Sequence, residues 1–331
     1  MFKKSWSYLM RAILLNEFGP AANLKFYDIP APEPKNNEIL IRVSVAGVVF
    51  ADTQMRRGDY VNLPALPFTP GREVAGVVEK VGGKVERIRP GMRVSADMHT
   101  GGYAEYAVAD ADSAIVLPDH VSYEQAIVLH VNLRVAYLYF ITFGQVQPGE
   151  TILLHAAAGG IGTLVIQLAK RRGINNIVIA LSSSDEKLEH CRTVGADYCI
   201  NYRKSDYVDE VLRITGGKGV DVSMNSVGGK TLETDHLVIR PRGRWLINGY
   251  AGGKGFIDPY AFILKSLTLS IFSIYTVRND EDFRNATLFL EEWLRTATLD
   301  GCSRVFRLEE VVEAHGWIEG QHSCGKIGLT L

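Results

Sequence analysis

A segment rich in small residues lies between an apolar run and an amphipathic one. It reads His155-Ala156-Ala157-Ala158-Gly159-Gly160-Ile161-Gly162, with Ala157 where the usual G-x-G-x-x-G pattern has its first glycine. Small residues at a strand-to-helix turn let backbone N–H groups approach a pyrophosphate at the helix N-terminus, where the dipole favours anions. We therefore predict that a dinucleotide binds here, at Ala158, Gly159, Gly160, Ile161 and Gly162. The alternative is a tight β–α turn without a ligand.

The next predicted strand ends in hydroxyl groups. Proteins that bind NAD place Asp or Glu about 20 residues after the glycine turn, where the acid accepts hydrogen bonds from the ribose. Here Ser182, Ser183 and Ser184 occupy that place and Lys187 follows. An acid would repel a 2′-phosphate, whereas hydroxyl groups and a lysine bind one, so the sequence favours NADPH over NADH. We expect Asp185 to cap the following helix; taken alone, Lys187 could equally be a solvated helix lysine.

The elements that position these residues follow from the alternation of apolar runs. Strands alternate with helices from about Tyr123 onward, which predicts βαβ crossovers and a parallel sheet. The predicted strands are Thr151–Ala156, Ile177–Leu181, Tyr198–Asn201, Val220–Asn225 and Arg244–Gly249. The predicted helices are Tyr123–Phe143, Ile161–Arg172, Asp185–Thr193, Tyr207–Thr215 and Thr231–Leu237.

The flanking stretches have a different pattern. Before Val121, short apolar runs separated by Gly and Pro predict an all-β unit, with strands at Ile39–Val45, Ala75–Val81, Arg93–Ala96 and Tyr103–Val108. After Asp280 we predict a helix, a strand, a second helix and a last strand; the first two are Phe283–Ala297 and Ser303–Arg307, and the last is Lys326–Leu331. This tail does not extend the alternation, so we expect it to pack on the first unit.

Composition excludes several classes of partner. The 331 residues predict about two domains, and a formal net charge of −1 gives no electrostatic basis for binding nucleic acid or an anionic membrane. Apolar runs are too short to span a bilayer, and residues 1–9 form an extension without a signal-peptide pattern. The four cysteines have no CxxC spacing, which favours free thiols, and we expect a cytoplasmic protein.

Several motifs, taken in order, resemble one family. They include Pro70-Gly71-Arg72-Glu73-Val74-Ala75-Gly76, Pro90-Gly91-Met92-Arg93-Val94, Gly101-Gly102-Tyr103-Ala104-Glu105-Tyr106, the 155–162 turn and Asn225-Ser226-Val227-Gly228-Gly229. From Met10 to Leu331 the chain resembles the zinc-independent quinone oxidoreductases, or zeta-crystallin-like proteins, among the medium-chain dehydrogenases/reductases. The resemblance implies an α/β protein with a GroES-like β domain at 10–133 and 277–331, and a Rossmann domain with a doubly wound parallel sheet at 134–276.

The resemblance also implies site residues and an assembly. Lys187 and Tyr202 match residues that hold the 2′-phosphate of NADPH in relatives. The predicted cofactor contacts further include Asn225, Val227, Asn248 and Lys326. Relatives pair as homodimers through an edge strand, which would lie here near Leu267–Ser273.

Zinc ligands are missing at the positions that match those of zinc alcohol dehydrogenases. Those enzymes hold catalytic zinc with a Cys, a His and a Cys, and the matching residues here are Val49, Arg72 and Val131. Valine cannot ligate zinc and arginine does not. The resemblance therefore implies a site without a metal.

Three residues are the catalytic candidates in the absence of zinc. Tyr60 matches a tyrosine of quinone and enoyl reductases and could donate a hydrogen bond or a proton. Arg72 could bind an enolate, a carboxylate or a phosphate, or it could form an internal ion pair with Glu73 or Asp52. Asp52 is expected to orient its loop, with a proton relay as the lesser alternative.

Two departures from the family concern the nicotinamide pocket. Close relatives carry Asn where this chain has Val49 and Thr where it has Val135, which predicts a more apolar pocket or a nicotinamide ring that is held differently. The leading hypothesis is NADPH-dependent hydride transfer to a quinone or to an activated C=C bond, in an α,β-unsaturated carbonyl or an enoyl thioester. The alternatives are a biosynthetic reductase specialised for one intermediate, and an NADPH-binding protein with little turnover, as in crystallins of this family.

Overall fold

A computed structural model describes residues 8–171, 176–274, 277, 281–296 and 301–331. Within these ranges the strands are β1 (Leu9–Leu15), β2 (Leu24–Pro30), β3 (Glu38–Val48), β4 (Glu73–Val81), β5 (Arg93–Asp97), β6 (Tyr106–Asp110), β7 (Ile115–Val116), β8 (Thr151–Leu154), β9 (Ile177–Ser182), β10 (Tyr198–Asn201), β11 (Val220–Asn225), β12 (Ile239–Ile247), β13 (Thr268–Ile271), β14 (Cys302–Arg307) and β15 (Lys326–Thr330). The α-helices are α1 (Phe50–Arg57), α2 (Tyr123–Ala126), α3 (Arg134–Tyr137), α4 (Gly160–Arg171), α5 (Asp185–Thr193), α6 (Tyr207–Ile214), α7 (Thr231–Val238), α8 (Pro259–Lys265), α9 (Glu281–Thr296) and α10 (Val311–Glu319).

The chain divides into two compact units. The first comprises residues 1–131 and 289–331, and the second residues 132–288. Parts of the predicted elements lie outside the described residues, namely residues 1–7 of the N-terminal extension and the predicted helix ends at Arg172 and Ala297. Within the described ranges, no helix is both long and apolar enough to cross a membrane.

The first unit is built on a mixed sheet with the strand order β14-β15-β3-β4-β5-β7, and β6 pairs with β3. The C-terminal strand β15 pairs antiparallel with β3, placing Ile327 opposite Val48. Strands β1 and β2 form a separate antiparallel hairpin, in which Leu9 lies opposite Pro30. The alternating apolar residues of these strands form one core, which includes Ile41, Val74 and Leu329.

The second unit is a Rossmann fold. Its sheet is parallel, with the order β10-β9-β8-β11-β12-β13. The order reverses between β8 and β11, and in such sheets ligands bind beyond the carboxyl ends of the strands at this reversal. The apolar runs predicted as strands are buried in it, because helices cover the faces of a parallel sheet. The predicted combination of a GroES-like β domain and a Rossmann domain is confirmed.

The segment predicted as one helix from Tyr123 to Phe143 is helical but irregular. Helix α2 is capped by Ser122, whose hydroxyl accepts a hydrogen bond from the backbone N–H of Gln125. Helix α3 is flanked by π-helical turns at Leu129–Leu133 and Leu138–Thr142. Most side chains between Ala126 and Phe140 are buried, so tertiary packing rather than helix propensity sets the path here.

Candidate cofactor site and buried charge cluster

The glycine turn connects β8 to α4. The backbone N–H of Ala157 donates to Leu181 at 3.1 Å and that of Gly159 to Ala156 at 2.9 Å, which fixes the turn against β9. A Cβ on Gly162 would lie 2.5 Å from the carbonyl oxygen of Ala157, so only glycine allows the helix to start this close to the strand. The turn thus has the close backbone packing that dinucleotide-binding turns require, and its residues fit a pyrophosphate.

The residues predicted to bind the ribose and its 2′-phosphate lie at or just after the ends of neighbouring strands. Ser182 and Ser183 are buried at the end of β9, while Tyr202 follows β10 and is 46% exposed. The backbone N–H of Tyr202 donates to the carbonyl of Ser182 at 3.2 Å, which holds the two strand ends together. Lys187 is half-buried in the first turn of α5. The parallel register therefore brings the serine hydroxyl groups, Tyr202 and the start of α5 together at the carboxyl-terminal ends of the strands.

The cap of α5 differs from the prediction, which assigned it to Asp185. Ser184 is the N-cap, and its hydroxyl accepts from the backbone N–H of Lys187. Asp185 is the first helical residue; it accepts from Asn201 at 2.8 Å and pairs with Lys204. The Lys204 and Asn201 contacts lower the pKa of Asp185, although this side chain is exposed. The difference arises because Ser184 has the extended backbone that a cap needs.

The loop after β11 is shaped by the Asn225 side chain. Its Oδ1 accepts from the backbone N–H groups of Val227 at 2.9 Å and Gly228 at 3.0 Å, and its Nδ2 donates to Thr231 at 2.8 Å. Asn248 begins the loop after β12, and its Nδ2 donates to the carbonyl of Phe272 at 3.0 Å. Asn225 is fully buried, so its amide holds the backbone of the predicted cofactor loop in place.

Tyr60 and Arg72 meet in the first unit. The Nη1 of Arg72 donates to the Tyr60 hydroxyl at 3.1 Å, and the guanidinium carbon lies 5.5 Å from the centroid of the ring. Arg72 is only 6% exposed, whereas Tyr60 is partly exposed. A buried guanidinium therefore fixes a phenol that remains accessible.

Asp52 is the acid of the first turn of α1. Its Oδ2 accepts from the backbone N–H of Val49 at 3.0 Å and from the Tyr103 hydroxyl at 3.1 Å, in a fully buried position. Burial raises the pKa of Asp52, although its hydrogen bond from Val49 and the charge of Arg72 act in the opposite direction. These contacts tie the carboxylate to the start of α1.

The side chain of Lys326 lies inside the first unit. Its ammonium pairs with Glu73 Oε1, while Glu73 Oε2 accepts from the backbone of Val131 at 3.2 Å. Burial lowers the pKa of Lys326 to about 7, with Asp52 opposing the shift and Arg72 adding to it. A Cβ on Gly47 would lie 2.6 Å from Glu73 Oε1, so this glycine makes room for the pair. Glu73, one of the two acids considered as a partner for Arg72, is thus paired with Lys326.

Residues at the positions of the family's zinc ligands are placed as follows. Val49 is buried and precedes α1, Arg72 contacts Tyr60, and Val131 is partly buried. Among the described residues, no group of three or more His, Cys, Asp or Glu side chains is arranged to hold a metal ion.

Sequence reasoning missed a second buried group in the Rossmann unit. His155 and Tyr207 both form hydrogen bonds to Asp235, and the three residues are far apart in the sequence. The polar character of His155 at the end of an apolar strand was the one available signal. No local pattern indicated its partners.

Comparisons with known proteins agree with this architecture. Residues 35–119 match the family model for the alcohol dehydrogenase GroES-like domain, and residues 160–292 match the model for zinc-binding dehydrogenase. The chain is 32% identical to the quinone oxidoreductase of Pongo abelii, over 98% of both chains.

Two solved structures are similar over nearly the whole chain. Quinone oxidoreductase from Escherichia coli, complexed with NADPH, has a TM-score of 0.90 and 28% identity, covering 97% of this chain and 100% of its own. A mycobacterial protein complexed with NADPH has a TM-score of 0.90 and 30% identity, with the same coverage. This chain therefore belongs to the quinone oxidoreductase family of the medium-chain dehydrogenases/reductases, as its motifs predicted.

Proposed function

We propose that this protein is an NADPH-dependent oxidoreductase that reduces a quinone or a C=C bond conjugated to a carbonyl group, without zinc. The observation that carries the proposal is the hydrogen bond from the buried Arg72 guanidinium to the accessible Tyr60 hydroxyl. The pair would supply a fixed positive charge and a proton donor, the two functions that the reduction of a conjugated C=C bond needs without a metal.

The residues for the cofactor are in the Rossmann unit. The turn from Ala158 to Gly162 would hold the pyrophosphate, while Ser182, Ser183, Lys187 and Tyr202 would hold the 2′-phosphate. NADPH, when bound, supplies a hydride. Two family members solved with NADPH support this choice of cofactor.

The catalytic residues are in the first unit. Arg72 would stabilise negative charge on the substrate oxygen, because a guanidinium held at 6% exposure acts in a low-dielectric surrounding. Tyr60 would donate a hydrogen bond to that oxygen or a proton to the α-carbon. Asp52 would keep the start of α1 in place through its bond from Val49. Val49, Arg72 and Val131 replace all three zinc ligands, which supports a mechanism without zinc.

The apolar departures favour a selective substrate. Val49 and Val135 are both buried, and neither can form the polar contacts that Asn and Thr provide in relatives. We infer that the substrate beside the nicotinamide is apolar, and that one tailored compound is reduced faster than simple quinones.

Tyr60→Phe tests the role of the phenol. We expect the reduction of α,β-unsaturated ketones to fall by roughly 100-fold, because protonation at the α-carbon loses its donor. Quinone reduction should change little, because hydride transfer gives a hydroquinone anion that can take its proton from water. Rates are measured as NADPH oxidation, with NADH in parallel.

Tyr27→Phe is the matched control, because Tyr27 is 41% exposed in the β1–β2 hairpin and its hydroxyl accepts from Asn16. An unchanged enone rate in Tyr60→Phe would refute the proton-donor role. Absence of NADPH oxidation by the wild type with any acceptor would favour an NADPH-binding protein without turnover.

We also propose a homodimer that forms through β13. This strand is at one end of the sheet order, and Leu269 and Ile271 on one of its faces are 36% and 65% exposed. An edge strand with exposed apolar side chains pairs readily with the same strand of a second copy.

A further inference from the structure

A buried carboxylate lies where the strand order of the Rossmann sheet reverses. Asp235 of α7 is fully buried and accepts four hydrogen bonds. Its Oδ1 bonds with His155 Nε2 at 2.8 Å and the Tyr207 hydroxyl at 2.8 Å. Its Oδ2 accepts from Ser223 and from Asn225 Nδ2, both at 2.9 Å. Four partners use the whole accepting capacity of a carboxylate.

The electrostatics keep this carboxylate charged. Burial alone would raise its pKa, but His155 and the hydrogen bonds from Asn225 and Tyr207 lower the pKa of Asp235 below its usual value. Burial and the charge of Asp235 raise the pKa of Tyr207, so the phenol keeps its proton and remains a donor. The group is therefore a fixed anion surrounded by donors.

The partners of Asp235 begin the two connections at the reversal of strand order. His155 is the residue after β8 and starts the glycine turn, and its backbone N–H donates to Met224 of β11 at 3.0 Å. Asn225 ends β11, and its Oδ1 holds the N–H groups of Val227 and Gly228. One carboxylate thus anchors both the turn at 155–162 and the loop at 226–229.

We propose that Asp235 is a positioning residue for the dinucleotide, which sets the shape of both connections without touching the cofactor. It has no exposed surface, and the two of its four partners that lie in these connections are His155 and Asn225. The adenosine end is independent of it, because the contacts that hold Ser182, Lys187 and Tyr202 come from β9, β10 and α5. This inference rests on the proposed NADPH function.

Asp235→Asn tests the proposal with a side chain of the same shape. The new NH2 group must face either His155 and Tyr207 or Ser223 and Asn225. Asn225 cannot turn its amide, because two backbone N–H groups hold its Oδ1. We expect the Kd for NADPH to rise by about tenfold or more, as for loss of a hydrogen bond to a buried charge. The Kd for 2′-AMP, which probes only the adenosine end, should stay within about twofold.

Asn176→Ala is the matched control in the same unit. Asn176 is 2% exposed, and its Nδ2 donates to the carbonyls of Gln147 at 2.8 Å and Glu150 at 3.1 Å, at the amino ends of β8 and β9. Its removal should lower the melting temperature and leave both Kd values unchanged. Tyr207→Phe removes a single bond to Asp235 and provides a milder variant if Asp235→Asn does not fold.

The outcomes separate the two proposals. Weaker NADPH binding with intact 2′-AMP binding in Asp235→Asn or Tyr207→Phe supports the positioning role. Unchanged NADPH binding in a folded variant, or equal loss of both ligands, overturns it. Failure of the wild type to bind NADPH would instead refute the proposed function.

Discussion

His315 is a buried imidazole in the first unit that stays uncharged. Its Nε2 lies 3.3 Å from the Tyr103 hydroxyl, which donates to Asp52. Burial, together with the charges of Arg56 and Arg57, lowers the pKa of His315 to about 3. An unfolded chain titrates its histidines near about 6.5, so between these values the unfolded state binds a proton that the folded state does not. Stability therefore falls as the pH drops below about 6.5 and continues to fall towards about 3.

His315→Gln should make the protein less sensitive to acid. From pH 7 to pH 5 the wild type should lose about 2 kcal/mol of unfolding free energy through this residue, and the variant should not. Urea unfolding at both pH values measures the difference. Exposed His322, changed to Gln, is the control. Equal losses in wild type and His315→Gln would contradict this assignment.

At the residue scale, sequence reasoning identified the side chains whose neighbours are local. Ser182, Lys187 and Tyr202 follow from the order of strands and from the family pattern. The pair of Glu73 and Lys326 joins positions 253 apart, and no local pattern predicts which acid a distant lysine will meet. The cofactor contact of Lys326 stays a prediction, and the structure pairs its ammonium with the buried carboxylate of Glu73.

At the element scale, the glycine turn depends on one close contact. Gly162→Ala would place a methyl group 2.5 Å from the Ala157 carbonyl oxygen and 2.6 Å from the Ala157 Cα. Backbone cannot move aside as a flexible side chain can, so the turn must widen. We expect the Kd for NADPH to rise by about tenfold or more, measured by fluorescence titration.

Gly316→Ala is the control for Gly162→Ala. Gly316 is inside α10, and a Cβ there would meet no atom within 4 Å. This change should stabilise the protein by about 0.5–1 kcal/mol through helix propensity and leave NADPH binding unchanged. Equal NADPH affinity in both alanine variants would show that the close contact is not needed.

At the element scale, the bounds of elements with a regular pattern of apolar residues were predicted correctly. The bounds of elements whose path depends on tertiary packing were not. The predicted bounds of β10, β11 and α5 agree with the structure, because apolar runs and caps define them locally. Strand β12 begins at Ile239, five residues before its prediction, and its pairing with β11 shifts register after Val220. The π-helical turns on either side of α3 lie in a buried segment, where tertiary packing sets the backbone path. Sequence periodicity does not predict such local changes in helix type.

At the scale of the whole molecule, the edge strand β13 determines the proposed assembly. Ile271→Lys should weaken a twofold pairing, because it places charges of the same sign on both copies. Light scattering after gel filtration should show a shift from dimer to monomer. Val312→Lys, at a 41% exposed position in α10, is the control. A wild type that is already monomeric would refute the dimer.

The two units differ in the order in which their residues are synthesised, because the first unit is discontinuous in the sequence. Strands β14 and β15 belong to the first unit, yet the ribosome makes them after all of residues 132–288. The second unit is a continuous stretch and can close around its own core while the first still lacks these strands. During that interval β3 is the open edge of the sheet, and Glu73 of the neighbouring strand β4 has no Lys326 to pair with. A nascent chain can thus form its dinucleotide-binding unit before Lys326, the partner of the buried Glu73, has been made.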